Sequence, residues 1–255
     1  MSALIDRRQM LAGTAGAAFT LASGISPLHA ANASPTSPVA SAARKAGMRF
    51  GSCFNAAPRD AERGSYLNPG YAALLERDCT ILVPENEFKW QAIRPSAKDY
   101  DFKRFDGMLA YAQKHGMAMR GHTLLWHKTR WYPRWLNNHD FGTSPASAAA
   151  DILTSHIRTL TKRYAGKIVS YDVVNEAVDP STGGIEQTAL SKAFGSGEGL
   201  LDLAFHTARD SAPGVELGDD KAIAHGGHFI EKGAETLLVM LAQARAGIEL
   251  VHLDM

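Results

Sequence analysis

Ile168-Val169-Ser170-Tyr171-Asp172-Val173-Val174-Asn175-Glu176-Ala177 is the stretch on which the fold turns. It is rich in β-branched and aromatic residues, as a strand requires. Val169, Tyr171 and Val173 form one apolar face, fit to meet covering helices. Ser170, Asp172 and Val174 form the other, and Glu176 continues it. The preceding residues, 147–164, place Leu153, Ile157, Leu160 and Tyr164 at three- and four-residue steps, the stripe of an amphipathic helix. A helix feeding a strand with polar groups at its C-terminal end is half of an α/β unit.

The same alternation extends in both directions. Strand-like runs fall at 48–53, 79–84, 117–126, 168–175, 215–217 and 248–253. Helix-like stretches fall at 70–77, 102–115, 147–164, 200–211 and 229–246. Strand–helix repetition calls for a parallel sheet, and right-handed crossovers leave a doubly wound sheet or a closed barrel. Periodicity does not choose between them. No Gly-x-Gly-x-x-Gly follows the first strand, so the commonest dinucleotide-binding arrangement is not indicated.

Polar residues collect at three strand ends: Val83-Pro84-Glu85-Asn86-Glu87-Phe88-Lys89-Trp90, Gly121-His122-Thr123-Leu124-Leu125-Trp126-His127, and the run ending Asn175-Glu176. Strict alternation would put His122, Leu124 and Trp126 on one face. In a barrel, the C-terminal strand ends are where active sites are built. Carboxyl groups can protonate a glycosidic oxygen or attack a sugar. Amides, His and Lys can bond hydroxyls, and Trp faces can stack on sugar rings. His122 and His127 are five apart on a strand, which is not the spacing of a helical zinc pair. No metal or cofactor is expected.

At this point the chain resembles a known family. Pro-Glu-Asn-Glu-x-Lys-Trp, His-Thr-Leu-x-Trp-His and Asp-Val-Val-Asn-Glu-Ala, in this order, are similar to the N-terminal signatures of glycoside hydrolase family 10. Ala204-Phe205-His206-Thr207-Ala208-Arg209 resembles a later one. The resemblance spans about 48–217. It implies a (β/α)8 TIM-type barrel, here incomplete, with about five to six of eight β/α units. The implied activity is retaining endo-1,4-β-xylanase, and the implied partners are xylan or xylo-oligosaccharides. By the same resemblance Glu176 is the general acid/base and Asn175 bonds the sugar 2-hydroxyl. Glu85, Asn86 and Lys89 hold sugars on the non-reducing side, and His122 and Trp126 line the same subsite.

Beyond Leu217 the resemblance fades. Asp219 and Asp220 echo a family Asn-Asp only weakly. Where the family presents a Thr-Glu-Leu-Asp strand with its nucleophile, this chain has Val251-His252-Leu253-Asp254. The chain therefore reads as a member cut short at its C-terminal end, with the nucleophile unassigned and activity in question. Two other readings stay open: a sugar-binding pseudoenzyme, and a non-functional fragment of an interrupted gene.

The first 33 residues read as an export signal. Arg7-Arg8 precede a soft apolar run from Met10 to Ile25, and Ala31-Asn32-Ala33 offers a cleavage site. The paired arginines resemble a twin-arginine signal, with a Sec signal or an anchored segment as the alternatives. The apolar run is shorter than a membrane span needs. The expectation is an exported protein, periplasmic or secreted, free of the membrane once the signal is removed. Residues 34–45, rich in Ser, Pro and Ala, read as a linker, leaving 46–255 as the barrel domain. A net charge of +1 gives no basic field for nucleic acid, which is not an expected partner. Cys53 and Cys79 fall at opposite ends of neighbouring strands and are not expected to pair.

Overall fold

The structure, a computed structural model, describes residues 37–58 and 64–220. Five strands, β1 (Gly51–Phe54), β2 (Ile81–Pro84), β3 (Ala118–Trp126), β4 (Ser170–Asn175) and β5 (Glu216–Asp220), form one sheet in the order β1-β2-β3-β4-β5, every neighbour parallel. A doubly wound sheet reverses its strand order at a switch point, whereas a barrel wall adds strands in sequence order. Among the described residues the order never reverses, which resolves the choice toward the barrel.

The helices are α1 (Pro38–Lys45), α2 (Pro69–Asp78), α3 (Trp90–Ile93), α4 (Lys103–Lys114), α5 (Arg134–Asn137), α6 (Pro145–Arg163), α7 (Ala189–Phe194) and α8 (Gly197–Ser211). In α6 the buried residues are Ala149, Leu153, His156, Ile157, Leu160 and Thr161, the stripe expected from the spacing. Each fully buried Leu or Ile there contributes about 1.5–3 kcal/mol. Pro145 opens the helix, where its missing N–H costs nothing, and Lys162 and Arg163 close it against the negative end of its dipole. α7 begins with a capping box between Thr188 and Ser191 and stops at Gly195, whose φ of 89° suits glycine.

The six residues of β4 are all buried, as befits a strand paired on both sides. On its outer side Tyr171 meets Phe88, which packs on Phe105 of α4 and on Tyr164 at the end of α6. Gly121 on β3 lies opposite Tyr171 in the register. A Cβ at Gly121 would fall 2.5 Å from the tyrosine ring, so only glycine admits the ring there.

Several details differ from the sequence reading. Residues 38–45, read as linker, form α1: Ser37 caps it by accepting from the Ala40 N–H, Pro38 occupies its first position, and Ala40 is buried. The fifth strand runs beyond 217 to Asp220, pairing Asp219 with Val174 and Asp220 with Asn175. Alternation along β3 breaks where the register shifts between His122 and Leu125. Leu124 and Leu125 are consequently both fully buried. Cys53 and Cys79 are free, and Gly51 pairs with Ile81 while Cys53 pairs with Val83, so the two thiols stand at opposite ends of the β1–β2 ladder. The export segment, the 229–246 helix and the 248–253 strand lie outside the described residues. Among the described residues no helix is long and apolar enough to cross a membrane.

Candidate functional site

The floor of the site is a buried ion cluster. Arg120 and His122 on β3 both reach Asp172 on β4, whose side chain is 1% exposed. Arg120 Nε donates to Asp172 Oδ2 at 2.9 Å, and a second guanidinium N–H donates to Oδ1. His122 Nδ1 donates to Oδ2 at 2.9 Å. Burial pushes the Asp172 carboxyl up, but the hydrogen bonds and charges of His122 and Arg120 outweigh it and hold it below the usual carboxylate range. The Thr123 hydroxyl donates to the Asp172 carbonyl at 2.8 Å, filling the irregular step of β3.

The loop after β2 brings the second group. The Glu85 carboxylate accepts from Asn55 Nδ2 at 2.8 Å. Glu87, buried, accepts from the Ala56 and Asn86 backbone N–H groups at 2.8 and 3.1 Å, which fixes the turn. Lys89, also buried, donates to Asn86 Oδ1 at 3.3 Å and sets its ammonium 4.1 Å over the Trp126 ring. Burial pulls the Lys89 pKa down, opposed by the nearby carboxylates of Glu85, Glu176 and Glu87. One desolvated cation thus joins the acids of two strand ends.

Trp126 and Glu176 form the third group. The Trp126 indole N–H donates to Glu176 Oε2 at 3.1 Å, tying the end of β3 to the residue after β4. Trp131, in a short 3-10 turn, stacks on Trp126 at 4.7 Å between centroids and 17° between planes. Trp126 thus meets Lys89 and Trp131 through its ring and presents its N–H edge to Glu176. Asn175 is buried, and among the described residues its Oδ1 has no hydrogen-bond partner: an unspent acceptor beside Glu176. Glu176 itself stands at φ 51°, in the left-handed region.

The segment following Glu176 is tied to the exit of β3. Val178 bridges Ile185 antiparallel. Lys128 donates to the Val178 carbonyl at 3.0 Å and pairs with Glu186 at 2.9 Å. The Thr129 N–H donates to the same glutamate at 2.9 Å, and the ring of His127 meets the Glu186 carbonyl at 2.8 Å. Burial lowers the His127 pKa, so this histidine is a neutral structural group. Among the described residues no group of three His, Cys, Asp or Glu side chains could hold a metal ion.

The seven residues singled out in the sequence lie on or just after three adjacent strands: Asn86, Lys89, Trp126 and Glu176 form one chain of contacts, Asn175 precedes Glu176, Glu85 is held by Asn55, and His122 is bonded to Asp172. Sequence reasoning missed Asn55, Arg120, Glu87, Trp131 and the Lys128–Glu186 pair. Arg120 had a signal: it lies two residues before His122 on the same strand face. The others lie on loops, where no periodicity points.

Parallel strands in sequence order, with acids, amides and a desolvated lysine at their C-terminal ends, define a (β/α)-barrel protein whose polar residues gather on the face where barrels build their sites. The chain belongs to glycosyl hydrolase family 10, whose sequence model matches residues 39–219. It is 32% identical over 156 residues to endo-1,4-beta-xylanase 3 of Hypocrea jecorina, covering 61% of this chain and 42% of that protein. It is 35% identical over 147 residues to the beta-1,4-xylanase of Dictyoglomus thermophilum, covering 58% of this chain and 40% of that one. Among solved structures it is similar to a GH10 endoxylanase from a sugarcane soil metagenome, with a TM-score of 0.60, 29% identity, and coverage of 70% of this chain and 49% of that one. It is also similar to xylanase10C of Cellvibrio japonicus in complex with xylopentaose, with a TM-score of 0.62, 25% identity, and coverage of 78% and 39%. The chain spans about two fifths of the length of these curated relatives.

Proposed function

We propose that this chain carries the acid/base side of a retaining endo-1,4-β-xylanase site, acting on xylan and xylo-oligosaccharides. The observation that carries the reading is Glu176, just after β4, with its carboxylate held by the Trp126 N–H and its neighbour Asn175 keeping an unspent acceptor. Glu176 protonates the leaving oxygen and later takes a proton from the attacking water. Asn175 bonds the 2-hydroxyl of the sugar at the scissile bond. Glu85, Asn86 and Lys89 bond hydroxyls on the non-reducing side, with His122 and the Trp126 edge completing that subsite. The second carboxyl group of a retaining pair must stand about 5–5.5 Å from the first.

Calorimetric titration with xylotriose tests the sugar reading. Lys89→Ala is expected to weaken binding by about 1–3 kcal/mol, the scale of a lost charge-assisted hydrogen bond. A folded chain that gives no heat with xylotriose would remove the sugar site altogether.

We also propose export by the twin-arginine route, on the strength of Arg7-Arg8 and the weakly apolar run behind them. Changing both to Lys should leave precursor in the cytoplasm on fractionation. Undiminished export would exclude that route.

A further inference from the structure

We propose that Arg130 is a specificity-determining residue that recognises a carboxylate-bearing sugar, a uronic acid branch on the xylan chain. The proposal rests on the xylan reading above and adds the kind of decoration preferred.

The argument begins with a column of side chains. Lys89 lies over the Trp126 ring, Trp131 stacks on Trp126, and the Arg130 guanidinium lies 5.2 Å from the Trp131 ring centroid. The inner end is buried, while the outer end is open: Trp131 is 37% exposed and Arg130 is exposed. Because the Trp126 N–H bonds Glu176, the column rises from the acid/base residue itself.

Its two cations differ in kind. Lys89 is desolvated and surrounded by three carboxylates, so its charge is already spent within the site. The next lysine along, Lys128, is neutralised by Glu186. Arg130, among the described residues, has no acidic partner. Stacking on an indole engages only the flat face of a guanidinium. Among the described residues the N–H fork of Arg130 has no carboxylate partner, and Trp131 holds the guanidinium beside the site. A neutral xylose unit offers such a fork only single hydroxyls. A carboxylate meets it with two parallel charge-assisted bonds. The ligand chemistry that fits is therefore an anionic sugar, with Trp131 as the residue that positions its receptor.

The test compares xylotriose with xylotriose carrying one glucuronic acid branch, titrated into the full chain at low salt. The wild-type chain should bind the acidic ligand about fivefold more tightly, the scale of one well-aligned exposed ion pair. The preference should shrink at raised salt. In Arg130→Gln the ratio should fall to about one, and Trp131→Ala should lower it by unseating the guanidinium. Binding of neutral xylotriose without preference for the acid, or a preference that Arg130→Gln leaves intact, would overturn this inference alone. Binding of neither ligand to a folded chain would overturn it together with the sugar reading beneath it.

Discussion

A polypeptide of these 255 residues is expected to bind xylo-oligosaccharide but to release almost no reducing sugar from xylan. Retaining hydrolysis divides the work between two carboxyl groups, one protonating the leaving oxygen and one attacking the anomeric carbon. In the reading proposed above, Glu176 takes the first task. For the second, the sequence offers His252 and Asp254, which lie outside the described residues. Imidazole approaches the sugar without the negative charge that would steady an oxocarbenium-like centre. Asp254 has a shorter arm and stands two residues further along. Loss of a nucleophile that works as a unit with its acid costs on the order of 10⁴-fold or more in turnover. A reducing-sugar assay on residues 34–255, with Glu176→Gln as the control for contaminating enzyme, measures it. Robust release abolished in the control would show that another carboxylate of this chain attacks.

The second large effect concerns stability. Asp172→Ala should destabilise the fold by about 3–5 kcal/mol, because it removes the buried carboxylate that both Arg120 and His122 bond. Arg120→Ala should also destabilise, since it leaves the Asp172 carboxylate, 1% exposed, with one charged donor fewer. The pH dependence follows from the direction of the shift. The folded Asp172 pKa is depressed below its unfolded value. Its contribution is therefore complete above the unfolded carboxylate pKa, about 4, and is lost as pH falls through the folded value. Urea midpoints measured at neutral pH and in acid should converge between wild type and Asp172→Ala as the pH drops. Parallel curves would show that the cluster does not hold the sheet.

Much of this was legible in the sequence because it obeys a period. The apolar stripe of α6 and the two faces of β4 follow from the spacing of Leu153, Ile157, Leu160 and of Tyr171, Asp172 and Val173. The strand ends could be read because Glu85, Lys89, His122 and Glu176 break an apolar pattern where a barrel builds its site. What stayed hidden has no period. α3 and α5 have four residues each, too few for a stripe. The helix at Pro38–Lys45 was masked by Pro and Ser, which here cap a helix where they commonly mark a linker. The register shift after His122 defeated alternation along β3, and the partnership of Trp126 with Trp131 depends on a turn whose path no local rule gives.

The backbone at Glu176 has a consequence for how this site tolerates change. At φ 51° an ordinary side chain carries strain that glycine escapes and asparagine bears lightly. Selection for a sturdier fold would drift toward those two residues and discard the carboxyl group in doing so. A glutamate held in this conformation is in keeping with the acid/base role proposed for it. The same geometry makes glutamine the fair comparison in any assay, since it keeps the glutamate's backbone strain and its length while removing the titratable proton and the negative charge.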